Sequence, residues 1–117
     1  MDKIYEISLL LDFYGQLLSK KQYEILDLHF NNDYSLGEIA EHFNMSRQGI
    51  FDNIKRGKAS LLNMEEKLGL VSKFSEQKLK AEKILRYLKS INKENMNIDD
   101  IEYLKNIEDG IVDIIEN

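Results

Sequence analysis

Residues 46 to 58 read Ser46-Arg47-Gln48-Gly49-Ile50-Phe51-Asp52-Asn53-Ile54-Lys55-Arg56-Gly57-Lys58, and the polar members of that run are of the types that read nucleic acid. An arginine can meet guanine through two parallel hydrogen bonds and a glutamine can do the same for adenine, while lysines and arginines one or two turns further on suit phosphates. Ser46, Arg47, Gln48 and Asn53 are therefore candidate base contacts, and Lys55, Arg56 and Lys58 candidate phosphate contacts. Four cations against the one carboxylate of Asp52 give this stretch a local balance of +3. Two residues work against the same chemistry. Asp52 sets a negative charge where phosphates would approach, and Gly49 leaves part of the exposed face blank.

Other chemistry finds less support. His29 and His42 stand apart, and Glu38 with His42 at one-turn spacing supplies two ligands where a metal site needs three or four. The adjacent pairs Glu65-Glu66 and Asp99-Asp100 point to different sides of a helix, so they do not converge as an acid and base must. Neither a glycine-rich phosphate loop nor a serine or cysteine nucleophile pattern is present. The expectation is a protein without catalytic residues, metal or cofactor.

The 117 residues, 43% of them hydrophobic, suffice for one compact domain with a core and leave room for a helical extension. Without cysteine, disulfides are excluded, and a reducing, cytoplasmic setting is expected. The longest apolar run, Leu9 to Leu11, is far too short to insert into a membrane. A net charge of −5 counts against holding nucleic acid by bulk electrostatics, so the local distribution decides. That distribution is −3 over residues 1–33, zero over 34–69, +5 over 70–93 and −7 over 94–117.

With no proline and six glycines, helix is the default throughout, and the apolar spacing agrees. Ile4, Ile7, Leu10, Leu11, Tyr14, Leu17 and Leu18 predict one buried face of a first helix. Ser19 predicts the cap of a second, with Tyr23, Leu26 and Phe30 inward and Ile25 widening the stripe. Ser35-Leu36-Gly37-Glu38 is a capping box opening a short third helix that ends at Phe43. Asn44 suits a left-handed turn and Ser46 caps the fourth helix, which runs through Ile50, Phe51, Ile54, Leu61, Leu62 and Met64 towards Leu68, with a kink or break expected at Gly57. Ile39, Phe43, Met45 and Ile50, around the small Ala40, have the spacing of a helix-turn-helix core.

Beyond Leu70 the positions Leu70, Phe74, Gln77, Ala81, Ile84, Leu88 and Ile91 alternate by four and three, a coiled-coil seam with one polar member. Asn92 to Asn97 reads as a connection, Asn97 caps a last helix, and its expected face is Ile98, Ile101, Leu104, Ile107, Ile111 and Ile114 or Ile115. A short connection favours antiparallel neighbours, and the +5 and −7 helices would then attract. The seam can close on the first helix, on the last helix, or in a homodimer.

Leu18-Ser19 leading into Leu26, Leu28 and Phe30, then Tyr34-Ser35-Leu36, Glu38-Ile39-Ala40 and Ser46-Arg47, resembles region 4 of sigma factors over about residues 17 to 69. The whole chain more closely resembles the YlxM-like family of small bacterial helix-turn-helix proteins, through Leu11-Asp12-Phe13-Tyr14, Leu17-Leu18-Ser19-Lys20-Lys21-Gln22, Asp33-Tyr34-Ser35-Leu36 and Ser46-Arg47-Gln48 to Asp52-Asn53-Ile54. That resemblance implies a role in the signal recognition particle pathway and brings no catalytic residues.

The expected architecture is all-α: a sigma region 4-like helix-turn-helix domain over residues 1–69, a winged-helix-like arrangement without the wing, followed by a C-terminal helical hairpin over 70–117. Three partners stay open: DNA, the RNA of the targeting particle reached by Lys73, Lys78, Lys80, Lys83, Arg86 and Lys89, and a protein of that particle bound by an interaction module that never touches DNA. The basic stretch reads equally as a solvated helix face balanced by the acidic tail.

Overall fold

The computed structural model describes the backbone of residues 3–116 and the side chains of residues 6–116, so the expectation for Ile4 lies outside the described side chains. All regular elements among them are helical: α1 (Lys3–Tyr14) with a 3-10 turn (Gly15–Leu17), α2 (Lys20–Asn31), α3 (Leu36–Phe43), α4 (Arg47–Leu68), α5 (Leu70–Lys89) and α6 (Ile98–Glu116). The chain forms two compact units, one reaching to Val71 and the other from Ser72 onward.

In the first unit, Leu10, Tyr14, Ile25, Leu26, Ile39, Ile50 and Leu61 are completely buried, and Ile7, Leu11, Ala40 and Ile54 complete a single core drawn from α1 to α4. Removing these side chains from water is the main force holding the four helices together. Leu18, Phe30, Phe43 and Met45 pack at its margin. The residues expected between the two helices of the helix-turn-helix are thus in place.

Several details differ from the expectation. The α-helical geometry of α1 ends at Tyr14, before Leu17 and Leu18, and the ring of Tyr23 lies so close to Gly15 that a Cβ there would approach it to 2.7 Å. The tighter turn that follows rotates Leu17 outward, to 66% exposure. In α2 the deepest residues are Ile25 and Leu26, whereas Tyr23 covers Gly15 from the surface. Gly57 does not break α4, which is continuous over 22 residues. A Cβ at Gly57 would come within 2.6 Å of Leu26 Cδ1 and 3.2 Å of its Cγ, so this glycine is the notch that lets α2 cross α4 closely. The core face of α4 is accordingly Ile50, Ile54, Gly57 and Leu61, and Phe51 and Leu62 lie largely exposed beside it.

The end of α4 is also tied down. Gly69 takes a left-handed φ of 64° and its N–H donates to the Glu65 carbonyl. The Tyr14 hydroxyl donates to Glu65 Oε1 at 2.6 Å while accepting the Leu70 N–H at 3.1 Å, and the Val71 N–H donates to the same carboxylate oxygen at 3.0 Å. Two orphan amides at the start of α5 are thereby satisfied by side chains of α1 and α4. Burial, reinforced by the carboxylate beside it, holds the Tyr14 hydroxyl protonated beyond the ordinary tyrosine range.

In the second unit, α5 and α6 run antiparallel, with Phe74, Gln77 and Lys78 of α5 lining a cleft with Asp113 and Ile114 of α6. Asn97 caps α6 by accepting the Asp100 N–H at 2.8 Å, and Gly110 does not interrupt the helix. The seam departs from the heptad expectation. Ala81 is buried and Phe74, Leu85 and Leu88 are half-buried, but Ile84 is exposed and Ile91 lies beyond the end of α5. On α6 the half-buried positions are Leu104, Glu108, Ile111, Val112 and Ile115, while Ile98, Ile101, Ile107 and Ile114 are exposed. The covered faces thus keep Phe74, Ala81 and Leu88 of the expected α5 seam and Leu104, Ile111 and Ile115 of the expected α6 face, and turn the other expected isoleucines of these helices outward. An ion pair joins Lys93 to Glu108 at 3.5 Å.

The notch at Gly57 makes a counterintuitive prediction. Alanine gains about 1 kcal/mol of helix propensity, but overpacking against the buried Leu26 costs about 1–3 kcal/mol. Gly57→Ala should therefore lower the thermal midpoint, by about 4–8 °C for each net kcal/mol of destabilisation, whereas a helix limited only by its glycine would melt higher.

Candidate nucleic-acid interface

The interface is built from the capping box upward. Ser35 Oγ accepts the Glu38 N–H at 3.1 Å and Glu38 Oε1 accepts the Ser35 N–H at 3.0 Å, so α3 begins at a defined residue. Asn44 follows α3 with φ 55° and ψ 47°, the left-handed conformation that its short polar side chain tolerates. The Met45 N–H reaches back to the Ala40 carbonyl at 2.9 Å, closing the turn. Ser46 then caps α4, its Oγ accepting the Gly49 N–H at 2.9 Å.

With α4 held by Ile50, Ile54, Gly57 and Leu61, the 100° step of the helix carries Gln48, Asp52, Lys55, Arg56 and Ala59 to the opposite side. Gln48, Lys55 and Arg56 are exposed there. Gln48 Nε2 donates to Asp52 Oδ1 at 3.1 Å. Arg47 lies at the edge of this strip with its guanidinium over Gly37, where a Cβ would stand 2.9 Å from Nη2 and 3.1 Å from Nε. The arginine is exposed yet seated, because Gly37 leaves the room for it.

The seven residues singled out from the sequence are not all brought together. Gln48, Lys55 and Arg56 share one exposed region with Asp52, and Arg47 is exposed on the flank of α4 that faces Gly37. Ser46 stands at its start, its hydroxyl oxygen engaged as the cap. Asn53 is turned towards α2: its main-chain carbonyl accepts from Gln22 Nε2 at 3.3 Å, and its side-chain Oδ1 is enclosed without a hydrogen-bond partner. Lys58 lies over the Phe30 ring, 5.9 Å from its centroid, and borders a groove with Glu6, Ile7 and Leu62. Asn53 and Lys58 therefore sit away from the exposed strip. Two contributors were not singled out, namely Gly37 as the seat of Arg47 and Asp52 as the partner of Gln48. The four-residue spacing of Gln48 and Asp52 was a readable signal for the second; the first depends on how α3 and α4 meet.

A capped short helix, a left-handed turn and a longer helix presenting polar first turns define a helix-turn-helix protein. Comparison with known proteins narrows this: the chain belongs to the family described as "Putative helix-turn-helix protein, YlxM / p13 like", whose model matches residues 1–104. It is similar to a UPF0122 protein of Acetivibrio thermocellus, 62% identical over 117 residues and covering the whole of both chains. A UPF0122 protein of Thermoanaerobacter sp. (strain X514) is 45% identical over 108 residues, 92% of this chain and 90% of the relative. One from Limosilactobacillus reuteri (strain DSM 20016) is 46% identical over 89 residues, 76% of this chain and 79% of the relative. Among the described residues no helix is long and apolar enough to cross a membrane.

The capping box gives the interface an acid sensitivity of known sign. Hydrogen bonds from the Ser35 N–H and side chain favour the ionised form of Glu38 and lower its pKa below the ordinary glutamate value. The stabilisation is then full above that ordinary value and is lost as pH falls through the lowered one. Thermal melts of the wild type and Glu38→Gln taken from neutral to acidic pH should converge at the acidic end; a constant difference between them would contradict this linkage.

Proposed function

We propose that this protein is a nucleic-acid-binding regulator that places α4 in the major groove of duplex DNA and acts in the signal recognition particle pathway. The observation that supports it best is the exposed strip itself. Arg47 and Gln48, suited to base edges, stand about two turns before Lys55 and Arg56, suited to phosphates, on a helix whose start is set by a cap and a left-handed turn. Ser46 contributes at the entrance to the groove. Asn53 and Lys58 take part only after a side-chain movement, because Asn53 Oδ1 is enclosed on the α2 side and Lys58 lies over the Phe30 ring. The link to the targeting pathway rests on the family resemblance and makes the RNA of that particle a second nucleic acid to test.

A competing reading draws on the second unit. Ile84, Tyr87, Ile98 and Tyr103 are exposed there alongside Lys73, Lys80, Lys83, Arg86 and Lys89, which suits a protein-interaction module for a component of the targeting particle or for a second copy of the chain. In that reading α4 contacts no nucleic acid.

Fluorescence anisotropy with labelled random duplex DNA, and separately with the particle RNA, distinguishes the two. On the proposed function binding weakens with salt. The double variant Lys55→Ala/Arg56→Ala reduces the slope of log K against log salt by about 0.9 for each phosphate that is no longer neutralised. Arg47→Ala weakens binding without unfolding the domain. If neither nucleic acid binds at low salt, the interaction-module reading replaces it; binding that ignores Arg47→Ala but is lost on charge reversal at Lys80 and Lys83 overturns the α4 reading and assigns the nucleic acid to α5.

A further inference from the structure

We propose that Asp52 is a positioning residue that sets the polarity of Gln48, and so makes α4 a reader of duplex DNA with adenine opposite Gln48; this rests on the nucleic-acid reading above. The geometry behind it is the hydrogen bond from Gln48 Nε2 to Asp52 Oδ1, 3.1 Å long and one helical turn apart. An amide can ordinarily turn either end to its neighbour, but an ionised carboxylate only accepts. The amide nitrogen must therefore face Asp52 and the carbonyl oxygen must face away. Among the described residues Asp52 forms no ion pair that would draw it off Gln48.

What remains of the amide is one N–H and the oxygen. That pair complements the major-groove edge of adenine, which offers the N6 amino group as donor and N7 as acceptor. Guanine presents two acceptors, O6 and N7, so the outward oxygen of Gln48 would confront O6. Cytosine and thymine each satisfy only one of the two groups. Without Asp52 the amide is free to turn its NH2 to guanine, and the discrimination fades. Asp52 also brings negative charge close to the phosphates, which weakens binding to every sequence. One residue thus raises selectivity and lowers general affinity, and its removal moves those two quantities in opposite directions. A residue that merely stabilised the helix would shift both the same way.

The test uses the full chain in a selection from randomised duplex DNA, followed by anisotropy titrations on the selected site with each of the four base pairs at every position. The wild type should prefer adenine over guanine at one position by about tenfold or more, and Gln48→Ala should abolish the preference at that position alone. Asp52→Asn keeps the size but allows either amide polarity. It should bring adenine and guanine within about twofold there and bind random duplex more tightly. Asp52→Glu, again acceptor-only, should restore the adenine preference. Both positions lie outside the core, and a thermal melt of each variant verifies folding. An adenine preference unchanged in Asp52→Asn, or no adenine at the position that responds to Gln48→Ala, overturns the proposal while leaving the proposed function standing. Failure of the wild type to bind any duplex overturns both.

Discussion

The close crossing of α2 over α4 at Gly57 is the constraint on which the candidate interface depends. A side chain at that position would collide with Leu26, a fully buried residue. Because the crossing fixes one point on the circumference of α4, it fixes the whole helix in rotation, and Ile50, Ile54 and Leu61 fall into the core on the same side. The outward side is then determined as well. Gln48, Lys55 and Arg56 are exposed because Gly57 is buried, and a different crossing point would have presented other residues to solvent.

A second group of contacts determines where α4 begins. Its rotation would mean little if its first turn frayed or started a residue early or late. The reciprocal Ser35–Glu38 bonds, the left-handed Asn44 and the Ser46 cap each satisfy backbone groups that would otherwise go unpaired, and together they index the first turn to the end of α3. The same demand for partners explains why some polar residues drop out of the exposed strip. Ser46 is engaged as a cap and Lys58 rests on Phe30, while Asn53 is turned towards α2 by the rotation of the helix and not by a bond of its own side chain. Arg47 is intermediate: it is exposed, but its guanidinium is held against α3 by the space that Gly37 leaves.

The second unit follows a different logic. Among its described residues Ala81 is the buried hydrophobic one, and α6 contains no buried residue. Two amphipathic helices that bury so little have limited hydrophobic stabilisation, which gives their exposed isoleucines and tyrosines and their opposite charges a significance that isolated surface residues lack. At the start of α5, by contrast, the Tyr14 and Glu65 side chains bind the chain firmly, since both Leu70 and Val71 donate backbone N–H groups to them.

The sequence by itself determined the helical class, the caps at Ser19, Ser35, Ser46 and Asn97, the left-handed turn at Asn44 and the identity of the helix-turn-helix, because each depends on residues within a turn or two of one another. Local hydrogen bonding and steric preference suffice for such features. It also brought Arg47, Gln48, Lys55 and Arg56 to notice by type and spacing. Only the tertiary structure decided that Gly57 is a notch and not a break, that Leu17 turns outward, that Ile84 yields its place to Leu85, and that Asn53 and Lys58 leave the strip. The physical reason is common to all of these. A helix with several apolar stripes, or a glycine with two uses, is resolved by which neighbour approaches and how closely, and that information belongs to residues far away in the chain.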